Sequence, residues 1–329
     1  MLRVDLPPPV TEELCAALRA LPVPADEPEE LLARLLRLTA HLPVELLSAL
    51  LSFRAAIEVP GTLLVTGVPV DGDLPPTPTH EDGTSTAGPV SERALLLMAV
   101  LLGEPVSYQG EKQGTLVQDV FPLREFESAS SNDGSAIELG FHTELVFSRS
   151  APEQPLHVAC PDFVMLLGLR CPTDRSATTM TVDAEAICQR LAESRLGALR
   201  QPQFQLRAPH SFTRDGGPRP WSAPVALLHG SPEAPRFAFD LACGVRALSA
   251  EATVALDALR RACADPAIQT RVRLGAGDLL VIDNNRCAHS RSPFPASYDG
   301  GDRWLRRAYV RRSIWQLRRG STSHPRVLA

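Results

Sequence analysis

The sequence predicts a mainly β chain with flanking helices, its core a double-stranded β-helix of the jelly-roll kind. Three observations predict it. Strand-like apolar segments bounded by Gly, Pro, Asp and Ser dominate the middle and end of the chain. Leu and Ala at helical spacing are sparse outside the N-terminal region, and no internal repeat suggests a solenoid or propeller. Many strands with few helices fit two packed sheets.

In order along the chain, Thr11 to about Glu58 carries the helical pattern, broken by Pro22 to Pro28, so two or three helices should pack outside the sheets. Leu63 to Val70 reads as a strand. Asp71 to Val90, rich in Pro, Thr, Gly and Asp, reads as a mobile surface loop. Ser91, with Glu92 behind it, marks a helix start before the apolar run Ala94 to Leu102. Thr115–Val120, Leu139–Phe147, Phe163–Leu169 and Thr178–Val182 read as strands. A helix is expected from about Ala184 to Leu199 and another from Ala250 to Ala264. Arg271–Leu274 and Leu279–Ile282 read as strands paired across the turn Gly275-Ala276-Gly277-Asp278. The segment Ser211 to Ser222 joins flexible glycines, Gly216 and Gly217, to Trp221 and has the composition of a site lid. One domain over residues 1–329, with the helical segment at about 10–58 packed on the core, accommodates this length.

Composition narrows the function. A net charge of -5 and a pI near 5.9 give no electrostatic reason for a nucleic-acid or anionic-membrane partner, so a small molecule is expected. No stretch approaches the roughly 18 uninterrupted apolar residues of a bilayer span, and the N-terminus lacks a signal-peptide core; a cytoplasmic location is the expectation. The seven cysteines lack C-x-x-C spacing, which indicates neither a disulfide framework nor a thiolate zinc site.

The chemistry centres on Gly140-Phe141-His142-Thr143-Glu144-Leu145. On a β-strand residues i and i+2 share a face, so His142 and Glu144 would reach one cation together. His289, downstream of the strand-like Leu279–Ile282, is a third candidate, ahead of His157 and His229, which lack a carboxylate two residues away. Two imidazoles and one carboxylate compose the facial triad of non-haem Fe(II) oxygenases, which leaves three positions open. Arg303, 14 residues after His289, is a buried-charge clamp suited to the far carboxylate of 2-oxoglutarate.

These residues resemble the clavaminate synthase-like branch of the Fe(II)/2-oxoglutarate-dependent oxygenases, which includes asparagine and arginine β-hydroxylases. The resemblance runs from Gly61-Thr62-Leu63-Leu64-Val65-Thr66-Gly67 through Gly114 to Val120 and Phe141-His142-Thr143-Glu144 to the block Gly277 to Arg312, where Asp299-Gly300-Gly301-Asp302-Arg303-Trp304-Leu305 matches the closing motif. It implies that His142, Glu144 and His289 bind Fe(II), and that Arg303 and Thr179 bind the 5-carboxylate of 2-oxoglutarate. It also implies that Arg307 meets a substrate carboxylate, Gln118 and Glu144 its ammonium, and Asp240 its side chain. The implied reaction is hydroxylation, most simply at Cβ, of a free L-amino acid, with 2-oxoglutarate and O2 converted to succinate and CO2, in specialised or antibiotic biosynthesis. Because Ala238 stands where arginine hydroxylases carry a second acid, an amide or short cationic side chain suits Asp240. Ring closure or desaturation, a carrier-tethered amino acid, and a non-catalytic cupin-like carboxylate binder remain alternatives.

Overall fold

The computed structural model describes residues 1–22, 28–80, 87–131, 133–147, 160–209, 218–315 and 324–328. Strand β1 (Leu2–Asp5) precedes three helices, α1 (Pro8–Ala20), α2 (Pro28–Arg37) and α3 (Val44–Ala55). Then come β2 (Thr62–Thr66), α4 (Pro89–Leu102), β3 (Glu104–Tyr108), β4 (Val117–Val120), β5 (Leu139–His142) and the long β6 (Phe163–Arg170). β7 (Thr179–Asp183) leads into α5 (Ala184–Arg190) and α6 (Glu193–Leu199), followed by the short strands β8 (Phe204–Leu206), β9 (Leu228–His229), β10 (Arg236–Phe237) and β11 (Val245–Ala247). Helix α7 (Ala250–Ala264) is followed by β12 (Gln269–Val272), β13 (Leu279–Asp283), β14 (Cys287–Arg291), β15 (Trp304–Arg311) and β16 (Val327–Leu328).

The fold is sheet-rich with helices at its flanks, as the sequence implies. A mixed sheet runs in the order β1-β2-β13-β6-β15-β3-β16, with β4 also paired to β15, and a second sheet runs β12-β7-β14-β5. Strands β13, β6 and β15 are buried on both faces, so β13 and β6 read as mainly apolar runs rather than alternating ones, while β15 buries Arg306, Arg307 and Arg311 among its apolar residues. Alternation instead decides which layer each side chain joins. Leu63, Val65, Met165, Leu167, Leu279, Val281, Trp304 and Val310 pack with the helices, whereas Leu64, Val164, Leu280, Ile282, Leu305 and Tyr309 belong to a second apolar cluster. α4 lies across β15 and β6 and receives α1, α2 and α3 on its other side. Leu14, Leu18, Leu35, Leu46 and Leu50, almost fully buried there, would each cost about 2–5 kcal/mol on truncation to Ala.

Several elements differ from the sequence expectation. β1, a short edge strand, pairs parallel to β2 and was not foreseen. α4 begins at Pro89 rather than Ser91, because Pro is well placed in a first helical turn. The helix expected over 184–199 is two helices, broken at Leu191 and Ala192. The strands on either side of Gly275–Asp278 do not pair with each other. β12 pairs with β7, while β13 lies between β2 and β6, so the turn carries the chain from one sheet to the other. Gly277 sits there at φ +79, where a Cβ would come within 3.0 Å of the Val68 carbonyl oxygen.

Of the expected mobile loop, residues 81–86 lie outside the described residues, and its two ends are anchored. The Arg170 guanidinium donates to the carbonyls of Leu74, Pro75 and Gly300 and to the Thr77 hydroxyl. The Asp71 carboxylate accepts from the backbone N–H of Val90 and Ser91 and from the Ser91 hydroxyl, satisfying orphan donors at the start of α4. Partial burial works against the charge of Asp71, but these bonds outweigh it and hold its pKa below the usual value. A depressed folded pKa stabilises above the unfolded value and is lost as pH falls through the folded one. Asp71→Ala should therefore cost about 1–2 kcal/mol near neutrality, read by urea unfolding, with the gap to wild type closing as the pH falls below about 4.

Candidate active site

His142, Glu144 and His289 are buried, and their potential ligand atoms all lie within 4.8 Å of one another. Among the described residues this is the one group of three or more His, Cys, Asp or Glu side chains so arranged. His229 lies outside it in β9, and His157 falls outside the described residues. The convergence is not produced by strand alternation, because β5 ends at His142 and Glu144 lies in the following turn. His142 and His289 face each other as cross-strand partners, with ring centroids 4.2 Å apart. Between His289 and Arg291 the register slips, three steps along β5 matching two along β14, so Gly140–Phe141 forms a bulge. The Gly140 carbonyl is 2.9 Å from His142 Nδ1; donation to it sets the tautomer that leaves Nε2 free for a cation.

The turn that swings Glu144 inward has Leu145 at φ +54 and is fixed by Asn284. The Glu144 N–H donates to Asn284 Oδ1 at 2.7 Å, and Asn284 Nδ2 donates to the carbonyls of Glu144 and Pro161. Replacing buried Asn284 by Ala orphans all three backbone groups. We expect a loss of about 2–4 kcal/mol, seen as a lower unfolding midpoint, together with about 10–100-fold weaker metal binding.

Glu144 Oε1 lies 3.8 Å from His142 Nε2, 3.7 Å from His289 Nε2 and 3.4 Å from Arg307 Nη1, while Oε2 accepts from the Tyr309 hydroxyl at 3.2 Å. Burial opposes ionisation of Glu144, but Arg307 and the two imidazoles overcome it and hold the carboxyl well below its usual pKa. Burial first, and His142 second, lower the His289 pKa, favouring a neutral ring nitrogen. Burial pushes the Tyr309 hydroxyl well up, so it remains a donor. At His142 burial also works against the charge, but Glu144 outweighs it and raises the pKa. Two imidazole nitrogens and one ionised carboxylate oxygen on one side of a cavity are the donor set that fits Fe(II).

Arg307, 1% exposed, stands directly opposite Gln118 and Leu166 in the sheet. Its Nε and Nη2 donate to Gln118 Oε1, and Nη2 also pairs with Glu111 Oε2 at 3.0 Å. Because Arg307 requires an acceptor, Gln118 presents its buried Nε2 elsewhere, and that donor has no partner. In this orientation Gln118 offers an N–H donor, which suits a carboxylate, whereas the expected contact to an ammonium needs an acceptor. Asp240 bridges β-fashion to His142, with Oδ1 accepting from the Cys243 N–H.

A pocket between the sheets joins this cluster to Thr179, Arg291 and Arg303, with Leu166 and Leu305 as apolar walls and Glu144, His289 and Arg307 at its edge. Thr179 and Arg291 are direct cross-strand partners. Arg303 is buried, and that desolvation lowers its pKa to about 10. Among the described residues no carboxylate lies within ion-pair distance of it, so the pocket fits an anion in its chemistry. A larger surface groove, lined by Asp183, Arg236, Arg286 and Arg312, contains none of these residues.

The taurine catabolism dioxygenase TauD, TfdA family matches residues 51–309. The chain belongs to that family. The L-asparagine oxygenase of Streptomyces coelicolor is 35% identical over 80% of this chain and 74% of its own. The L-lysine 3-hydroxylase of Catenulispora acidiphila is 31% identical over 82% of this chain and 72% of its own. Among solved structures, asparagine oxygenase in complex with Fe(II), 2S,3S-3-hydroxyasparagine and succinate superposes with a TM-score of 0.87 at 31% identity, covering 100% of this chain and 99% of that one. This dioxygenase family membership agrees with the resemblance drawn from the His142, His289 and Arg303 motifs.

Glu111, Asn284, Arg291 and Tyr309 were missed in the sequence. Arg291 and Tyr309 were findable, since each lies two strand residues beyond a residue already selected, His289 and Arg307. Glu111, in a polar turn, gave no signal. Of the expected lid, 210–217 lie outside the described residues; Trp221 packs under the guanidinium of Arg246, 4.7 Å from its ring centroid. Among the described residues no helix is long and apolar enough to cross a membrane.

Proposed function

We propose that the chain is an Fe(II)- and 2-oxoglutarate-dependent dioxygenase that hydroxylates an unactivated carbon, most simply Cβ, of a free L-amino acid. The observation that carries this is the double engagement of Glu144, which belongs at once to the His142/His289 cluster and to the Arg307 network. A substrate held by Arg307 therefore lies beside the metal position. We read residues 1–329 as one catalytic domain and its two sheets as a jelly-roll core, working in the cytoplasm.

Iron held by His142, Glu144 and His289 would supply the site for dioxygen activation, with 2-oxoglutarate as the electron source. Arg303 and Thr179 hold the distal carboxylate of that cosubstrate. Arg307 and Gln118 Nε2 take the substrate carboxylate, and Glu111 with the remaining lone pairs of Glu144 takes the ammonium. Two anchored ends orient the intervening carbon, so reactivity is set by position rather than by an activating base. Asp240, beside His142, meets the side chain. With Ala238 as its neighbour on that face, one acid favours an amide or a short cationic group, in keeping with relatives named for asparagine and lysine. Arg307 also argues for a free amino acid, because a carrier thioester has no carboxylate for it to grip.

The test is succinate formation by iron-loaded protein across a panel of free L-amino acids, with mass spectrometry of the products. Succinate stimulated by one amino acid, with a product heavier by one oxygen, is the expected result. A product lighter by two hydrogens would replace hydroxylation by desaturation or ring closure, and amino-acid-independent succinate would sink the substrate assignment.

A further inference from the structure

Arg291 is 5% exposed and sits in β14 two residues beyond His289, on the face that meets Thr179 across the strand pair. Its Nη2 reaches the carbonyl oxygens of Ser131 and Ile137 at 3.4 and 3.3 Å, but its buried Nε and Nη1 have no partner. The guanidiniums of Arg291 and Arg303 both rest against the ring of Phe294, 5.1 and 5.7 Å from its centroid, and both line the pocket that holds Thr179. Among the described residues neither has a carboxylate at ion-pair distance. Two buried like charges with unused donors are unfavourable unless an anion joins them.

Building on the reading of this pocket as the 2-oxo acid site, we infer that Arg291 is a second cationic contact for the distal carboxylate of 2-oxoglutarate, beside Arg303. A carboxylate has about four lone-pair sites and accepts from two guanidiniums at once. One of the two arginines then explains recognition and the other completes it. The pair also gives the pocket a preference for dicarboxylates over monocarboxylate 2-oxo acids.

The test is calorimetric binding, without oxygen, to protein loaded with Mn(II). Two ligands share the chelating end: 2-oxoglutarate, and 2-oxopentanoate, which lacks the distal carboxylate. Arg291→Gln removes the charge while keeping a polar amide in the same buried position. It should lose about tenfold or more in affinity for 2-oxoglutarate and none for 2-oxopentanoate. Equal losses for both ligands would mean that Arg291 only supports the fold, and no loss would mean that it touches nothing; either overturns the inference. If Arg291→Gln does not fold, Arg291→Lys takes its place, with a selective loss of about threefold or more expected because one ammonium cannot replace a fork. Unchanged discrimination in that variant would equally overturn it. Failure of the unsubstituted protein to prefer 2-oxoglutarate would instead sink the reading of the pocket itself.

Discussion

His289→Ala leaves the protein folded and without metal. The variant removes one of three donors whose atoms lie within 4.8 Å of one another, and the remaining pair, His142 Nε2 and Glu144 Oε1, is 3.8 Å apart. Two ligands hold iron poorly, and Glu144 keeps its charge because Arg307 Nη1 is still 3.4 Å away. Metal affinity and succinate formation should each fall by more than about 100-fold, beyond the range reached by outer-shell substitutions. The fold survives because His289 lies at the rim of a polar pocket rather than in either apolar cluster. Metal analysis after dialysis, alongside thermal unfolding, checks both halves. Equimolar retained iron with normal turnover would remove His289 from the site.

Arg307→Ala should act on two quantities at once. It removes the cation beside the buried Glu144 carboxylate, takes one partner from the half-buried Glu111 and leaves Gln118 Oε1 without its donor. Breaking a buried pair from one side costs about 3–5 kcal/mol, so the unfolding midpoint drops sharply. The amino acid loses its carboxylate fork, and its KM should rise about tenfold to a hundredfold, while the KM for 2-oxoglutarate, held at Arg303, stays within about twofold of wild type. Arg307→Lys separates the effects: it restores charge and hence stability, but not the planar fork and hence not affinity. An amino acid KM untouched by Arg307→Ala would show that the substrate is gripped elsewhere.

Much of the site was legible because its residues sit in short contiguous motifs. His142 and Glu144 are two apart, and Arg303, just before β15, and Arg307 within it are four apart. The helices Pro28–Arg37 and Ala250–Ala264 were legible from their apolar periodicity. Partner choice was not. β12 and β13 flank a turn that looks like a hairpin in sequence, yet each finds its partners in a different sheet, because strand pairing depends on which edges the rest of the chain leaves open. The backbone positions that shape the site gave no signal either. The bulge at Gly140–Phe141 and the left-handed Leu145 are set by Asn284, His289 and Asp240, all far away in the chain.

The sequence by itself determined the donor types, two imidazoles, a carboxylate and a row of arginines, and with them the class of chemistry, since those properties belong to side chains one at a time. Only the tertiary structure decided which donors are spent and which are free: that Glu144 is shared between the two histidines and Arg307, that Gln118 turns its amide N–H away from Arg307, and that Arg291 and Arg303 lack an anion. Hydrogen bonds and ion pairs are made between elements distant in the chain, so their pairing exists only once the sheets have packed.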